Sequence, residues 1–181
     1  MNPVTRMKEA ADFYSELESS LAGSTEAQRK AWATLLVEQN GDLKQLSGLL
    51  RCDRKTATRF LWMLSGVGIM NPGKLYEALP FLLEYVEAIN PAYLTSFANY
   101  WLIAGVPPQN EGKAIDLSFE WLISAETNVT IKSRAAFVLL KLTRKYPELK
   151  NELRFCLEDQ MDKYSKDFKK RAVKNLKDLE E

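Results

Sequence analysis

The sequence predicts an all-α fold in which about five antiparallel helix pairs stack into a right-handed α-α superhelix. The stretch from Asn128 to Lys145 has the apolar spacing of one amphipathic helix. Similar stretches recur about 37 residues before and after it, and this self-similarity is typical of stacked helical repeats. No stretch alternates polar and apolar residues over enough positions to predict a strand.

Composition is typical of a globular chain. The 181 residues are 46% hydrophobic and 27% charged, which suits one domain with a core of its own. Apolar runs are too short for a membrane span, and the first residues lack the apolar segment of a signal peptide. Cys52 and Cys156 lie far apart in the sequence, and we predict that both are reduced thiols. We therefore predict a single domain, residues 1–181, in the cytoplasm.

The chain contains no histidine. This excludes the commonest general base and the commonest metal ligand. Gly68 to Lys74 matches the start of a phosphate-binding loop, but Leu75 follows where a magnesium-binding hydroxyl is needed. Acid pairs such as Glu84 and Glu87 have no partner that singles them out as catalytic. The sequence therefore predicts no enzyme, no cofactor and no metal site.

The first helix pair is the least regular. The segment Thr5 to Leu21 carries an apolar stripe, and Gly23 to Thr25 breaks it. Thr25 and Gln28 match a capping box that begins the next helix, which ends at Asn40 and Gly41.

The next two pairs are marked by caps and prolines. A short helix follows Asp42, and Asp53 caps a helix that runs to about Val67. A turn at residues 71–73 leads into a helix from Lys74 to Ile89, and Pro80 within that run should either kink the helix or mark its first turn. The chain from Asn90 to Ala104 is the partner of that helix.

The last four helices follow the loop from Gly105 to Asn110. They are predicted at residues 111–125, 129–145, 147–162 and 165–180, with Pro147 in a first turn. Short turns between successive helices favour antiparallel pairs. The predicted pairs are 1–40 (degenerate), 41–68, 73–105, 111–145 and 147–181.

The second helices share one spacing. With Ile131 as position zero, positions 0, 4, 7, 8 and 11 are apolar and form the core stripe. Positions 2, 6 and 9 point away from that stripe, at 100° per residue, and include three aromatic side chains and three lysines. We predict that the following residues line a groove that binds a partner: Thr58, Trp62, Ser96, Tyr100, Ile103, Ser133, Phe137, Leu140, Lys170, Lys174 and Lys177.

A polar turn residue precedes an arginine by six positions in three copies: Asp53 and Arg59, Asn128 and Arg134, Ser165 and Arg171. This spacing resembles the HEAT repeat, and the stretch from Arg134 to Leu179 resembles a group of small bacterial HEAT-like proteins with no established activity. The resemblance implies a structural ladder, in which each turn oxygen caps a helix and also accepts from an arginine of the next layer. Pro91 and Phe97 interrupt the ladder in the remaining copy.

An outward aromatic column predicts a scaffold that binds a protein or peptide rather than an enzyme. Contiguous apolar surface marks binding sites, and aromatic side chains are the usual anchors. The lysines at the C-terminal end would meet acidic groups of the partner. An alternative stays open, in which the segment Thr5 to Leu21 or a second copy of the chain covers the aromatic column.

Charge is unevenly distributed along the chain. Residues 1–72 carry 9 basic and 8 acidic side chains, residues 73–128 carry 2 and 7, and residues 129–181 carry 14 and 9. The basic end suggests nucleic-acid binding as an alternative function, related to the HEAT-like alkylpurine DNA glycosylases, although the acidic middle disfavours a long duplex footprint. The lysines concerned are Lys163, Lys166, Lys169, Lys170, Lys174 and Lys177. An enzyme acting on small metabolites is the third hypothesis.

Overall fold

A computed structural model of the chain describes residues 3–180, and the side chains of residues 11–180. Helices make up most of residues 3–180 and none of these residues lies in a strand, so the all-α prediction is confirmed. The α-helices are α1 (Pro3–Ser20), α2 (Glu26–Glu38), α3 (Arg54–Met70), α4 (Pro72–Ile89), α5 (Phe97–Ala104), α6 (Glu111–Ile123), α7 (Val129–Leu142), α8 (Leu149–Gln160) and α9 (Lys166–Asp178). Segments of 3-10 helix cover Leu21–Gly23, Leu43–Arg51, Pro91–Ser96 and Pro108–Asn110.

Two predicted helices contain 3-10 winding. The segment after Asp42 is 3-10 helix throughout, and the segment after Asn90 becomes α-helix only at Phe97. Gly48 in the middle of the first segment weakens α-helix formation, and it lies against the hydroxyl of Tyr14 on α1. A Cβ at position 48 would sit 2.6 Å from that hydroxyl oxygen, so α1 approaches this segment closely.

The chain divides into two compact units. The first is built from the chain up to Ser96 together with Ile103–Gly105. The second is built from Phe97–Leu102 and from the chain beginning at Val106.

In the first unit, corresponding elements of successive helix pairs contact each other. The segment Leu43–Arg51 packs between α1 and α4, and α2 packs on α3. These contacts share one register, because the hydrogen bonds between successive pairs join residues 34 to 36 positions apart. Thr34 of α2, for example, contacts the sulfur of Met70 on α3, and Arg51 donates a hydrogen bond to Tyr85 of α4. Elements related by this offset therefore run parallel.

In the second unit, α6 and α7 form an antiparallel pair. Helix α8 packs on both of them, and α9 packs on α7 and α8. The core beneath α7, α8 and α9 is aliphatic with two phenylalanine rings. Its buried members are Phe119, Leu122, Ala136, Leu139, Leu140, Leu153, Leu157, Phe168, Ala172 and Leu179.

A polar contact closes the open end of the α6–α7 pair. Lys145 Nζ lies 2.6 and 2.8 Å from the two carboxylate oxygens of Glu111, and the hydroxyl of Tyr146 donates to the same carboxylate at 2.5 Å. These hydrogen bonds, that of Lys145 first, hold the pKa of Glu111 below its ordinary value of 4.5. The carboxylate therefore favours the folded state only while it is ionised.

Replacing Glu111 with glutamine should lower the Tm by about 2–4 °C at pH 7. Because the pKa is depressed in the folded state, this stabilisation is fully present above the unfolded pKa and is lost as pH falls through the folded pKa. The Tm difference from the wild type should therefore shrink below about pH 4.5. Differential scanning fluorimetry across pH measures it, with Glu120→Gln, an exposed acid on α6, as the control. A difference that stays constant down to pH 3 would contradict the assigned role.

No helix among residues 3–180 has the length and apolar character needed to cross a membrane.

Candidate functional site

The structure exposes some of the predicted groove residues and buries others. Trp62 is 56% exposed and Phe137 is 39% exposed, in agreement with outward positions. Tyr100 is only 1% exposed and Leu140 only 7%, so neither can line an open groove. Those two assignments were wrong.

The burial of Tyr100 has a helical cause. The count from Leu94 to Tyr100 passes through 3-10 winding, which turns roughly 20° more per residue than an α-helix. The outward phase is therefore lost before α5 begins, and the Tyr100 ring packs edge-on against Phe97 with 5.3 Å between ring centres. Leu140 is buried for another reason, because α6, α8 and α9 all contact α7.

The remaining predicted groove residues are accessible to different degrees. Thr58, Ser96, Ile103 and Ser133 are half-buried, whereas Lys170, Lys174 and Lys177 are exposed. Trp62 belongs to the first unit, and Phe137 and the lysines belong to the second. Neither unit by itself contains the whole predicted column.

Only the helix-capping part of the predicted ladder forms, and the arginine contacts do not. Asp53 accepts from Lys55 N at 2.8 Å, Asn128 from Thr130 N at 2.8 Å and Ser165 from Phe168 N at 3.3 Å, so each turn residue caps its helix as expected. The three arginines, Arg59, Arg134 and Arg171, do not join these oxygens: Arg59 donates to the carbonyl of Ser24, and Arg171 pairs with Asp167 of its own helix at 3.6 Å.

The reason is visible at Asp53, whose carboxylate is already occupied. One oxygen accepts two backbone amides, and the other accepts the hydroxyl of Thr56. The Thr56 hydroxyl is also the main cause that lowers the pKa of Asp53. A cap saturated by its own helix leaves the arginine to find another acceptor.

An exposed apolar patch lies on α2 and α3 of the first unit. We call it the α2–α3 patch and define it as Leu35, Trp62, Ile69 and Met70, all of which are exposed. Ile69 is 71% exposed and follows Trp62 by seven residues, or about two turns, so both lie on one face of α3. Continuing the outward series of α3 beyond position 9 would have found Ile69 from the sequence. Leu35 and Met70 require knowledge of the α2–α3 register.

Two arginines lie beside Trp62. Arg29 Nη1 donates to the Ser24 carbonyl at 2.7 Å and contacts its hydroxyl at 3.2 Å, and Arg59 Nη1 donates to the same carbonyl. The Arg29 guanidinium also stacks over the Trp62 ring, 5.3 Å from its centre. Burial and then the charge of Arg59 lower the pKa of Arg29, so the two positive charges interact electrostatically.

A stripe of four lysines follows the exposed side of α9. Lys166, Lys170, Lys174 and Lys177 lie on the side opposite the buried Phe168 and Ala172. Within the described part of the chain, none of these four lysines forms an ion pair, whereas Lys163 pairs with Asp159 at 2.6 Å. We call these four residues the α9 lysine stripe.

Lys132 is a buried charged residue that the sequence does not predict. It is 0% exposed, and its ammonium lies at hydrogen-bond distance from the carbonyls of Trp121 (3.3 Å), Leu122 (2.8 Å) and Ser124 (2.5 Å). It also lies 4.9 Å from the centre of the Tyr164 ring. These carbonyls belong to the C-terminal end of α6, where backbone acceptors have no partner within the helix. Lys132 is therefore a structural cap.

Within the part of the chain that the structure describes, no group of three carboxylates or thiols could hold a metal ion. Searches of protein-family models, of curated protein sequences and of solved structures find no match to this chain.

Proposed function

We propose that the chain is a non-enzymatic interaction scaffold that binds a protein or peptide segment through the α2–α3 patch. The observation that carries this proposal is the exposure of Trp62 and Ile69, two large apolar side chains on one face of a helix whose other side is buried. Aromatic and large aliphatic residues supply most of the binding energy of protein interfaces when a partner covers them.

The register of the first unit supports a groove-forming architecture. Helices α2 and α3 lie side by side, and an added Cβ at Gly66 would sit 3.5 Å from the methyl group of Ala33. Small residues at this contact bring two parallel second helices close together, as in the HEAT-like stack that we propose for the chain. A shallow surface formed by adjacent parallel helices suits an amphipathic segment that presents apolar residues every three or four positions.

The bound segment would be found in the cytoplasm. The thiols of Cys52 and Cys156 are both free, and free thiols suit a reducing compartment.

Display selection from a random peptide library tests the proposal. We expect peptides selected on the wild-type protein to lose at least tenfold in affinity for the double variant Trp62→Ser, Ile69→Ser, because both anchors are removed. The matched control is Phe155→Ser, which removes a similarly exposed ring from α8. Selected peptides that bind the wild type and the double variant equally would overturn the proposal.

Nucleic-acid binding is the second candidate function, and the α9 lysine stripe is the observation that favours it. If four lysines contact phosphates, the logarithm of affinity for duplex DNA should fall with the logarithm of salt concentration with a slope between about −3 and −4. The double variant Lys170→Gln, Lys174→Gln should reduce the slope by about 2. Fluorescence anisotropy with a labelled duplex measures both values. An unchanged slope in the double variant would exclude the stripe as the contact surface.

A further inference from the structure

The pair Arg29 and Arg59 has a feature that a purely structural role leaves unexplained. Both guanidiniums converge on one neutral acceptor, the Ser24 carbonyl, and neither forms an ion pair with any carboxylate in the described part of the chain. A guanidinium has five N–H donors, and the contacts to Ser24 use one nitrogen of each arginine. Several donors on both side chains are therefore available to another acceptor.

The electrostatics of the pair favour an anion. Burial and, after it, the charge of Arg59 lower the pKa of Arg29, and the opposing effect of Glu26 is the smallest of the three causes. Two half-buried cations held together repel each other, and this repulsion is relieved when an anion binds between them. Arginine suits such a site because its planar fork binds carboxylate and phosphate oxygens in a bidentate geometry.

The surroundings of the pair specify more than an anion. The ring of Trp62 contacts the Arg29 guanidinium and is more than half exposed, so it offers an apolar surface next to the charge. Ile69 and Met70 continue this surface along α3. A ligand with an oxyanion and adjacent apolar groups would satisfy both parts. A nucleic-acid strand would leave the aliphatic part uncovered, so the combination favours a peptide.

We propose that Arg29, Arg59 and Trp62 form a recognition site for an oxyanion-bearing peptide side chain, either phosphorylated or acidic, that is followed by an apolar residue. This inference rests on the proposed function, since it identifies the chemistry of the segment that the α2–α3 patch binds. The phosphorylated and acidic sources share the same recognition chemistry, a group with two or more oxygens that accepts from both guanidiniums.

Phenyl phosphate is the probe, because it joins an oxyanion to an apolar ring. Trp62 is exposed, whereas Trp32, Trp101 and Trp121 are buried, so a ligand-induced change in tryptophan emission reports on this site. We expect phenyl phosphate to change the emission saturably, and phenol at the same concentration to leave it unchanged. Benzoate is the corresponding carboxylate probe. If phenyl phosphate binds more tightly than benzoate, the site prefers a phosphorylated side chain, and the opposite order indicates an acidic one.

Matched substitutions separate recognition from structure. Arg59→Gln and Arg29→Gln keep an N–H donor but remove the charge, and each should weaken phenyl phosphate binding at least tenfold. Arg59→Lys keeps the charge without the fork and should weaken it less. Arg144→Gln, which removes an exposed arginine just after the end of α7, should leave binding unchanged. Melting curves establish whether each variant is folded. If a glutamine variant is unfolded, the binding test uses Arg59→Lys in its place.

The outcomes distinguish this inference from the proposed function. An emission response that is absent from the wild type, or equal in the wild type and both glutamine variants, would overturn the oxyanion site. Library peptides that depend on Trp62 and Ile69 but not on the arginines would overturn it too, while leaving the proposed function intact. Phenyl phosphate binding that depends on the arginines, without any selected peptide, would support the anion site and count against the peptide scaffold.

Discussion

Replacing Lys132 with methionine should lower the free energy of unfolding by about 3 kcal/mol. Methionine has nearly the same length and volume, so the effect would not come from a cavity. It would come from the carbonyls of Trp121, Leu122 and Ser124, which lose the ammonium that satisfies them inside the core. In the wild type, the ammonium of Lys132 loses its hydration on folding, and this cost offsets part of the stabilisation from its hydrogen bonds. Urea denaturation followed by circular dichroism gives the value.

Lys141→Met is the control for this experiment. Lys141 lies on the same helix but is exposed, and its ammonium lies 3.4 Å from the Leu102 carbonyl and 5.4 Å from the centre of the Phe137 ring. Its replacement should change the free energy of unfolding by less than about 0.5 kcal/mol. Equal effects at the two positions would show that the Lys132 ammonium does not serve as a cap for α6.

Alanine at Tyr100 should destabilise the protein by about 3–5 kcal/mol, whereas alanine at Trp62 should cost less than about 1 kcal/mol. Sequence periodicity gives these two aromatic residues equivalent outward positions, but Tyr100 is buried against Phe97 and Trp62 is exposed. Removing a buried ring leaves a cavity and loses many contacts, whereas removing an exposed ring leaves no cavity and loses few contacts. Thermal melts of the two variants would show the difference directly.

A small loss of stability for Tyr100→Ala would contradict the burial of this ring. Phe137→Ala provides the intermediate case, because the Phe137 ring is partly exposed and lies 5.4 Å from the ammonium of Lys141. Its cost should fall between those of Trp62 and Tyr100. The order of the three effects therefore tests the outward assignments independently of any partner.

The helix boundaries could be predicted from sequence because their causes are local. Thr25 and Gln28 form the capping box that their spacing predicts, and Asp53, Asn128 and Ser165 each cap the helix that follows. A cap involves residues within one helical turn, so it can be recognised without tertiary information. The 3-10 segments were the exception, since they require the close packing of neighbouring elements.

The candidate site could be predicted only in part. Trp62 follows from helical periodicity, and its exposure agrees with that assignment. Arg29 could not be found in this way, because its contact with Trp62 depends on α2 lying parallel to α3. Lys132 looks like a surface residue by composition, and only the fold brings the carbonyl end of α6 to its ammonium. Contacts between helices decide these roles, and a single helical wheel does not contain them.

The register of 34 to 36 residues in the first unit has a consequence for how this part of the chain is synthesised. Each helix there finds its neighbour within a short length of chain, so the entropy lost on closing the intervening loop stays small and nearly constant. During translation, an emerging segment would meet a partner that left the ribosome only a few seconds earlier. Apolar surface such as that of Leu64 and Leu75 would then be covered progressively, without waiting for the C-terminus to be made.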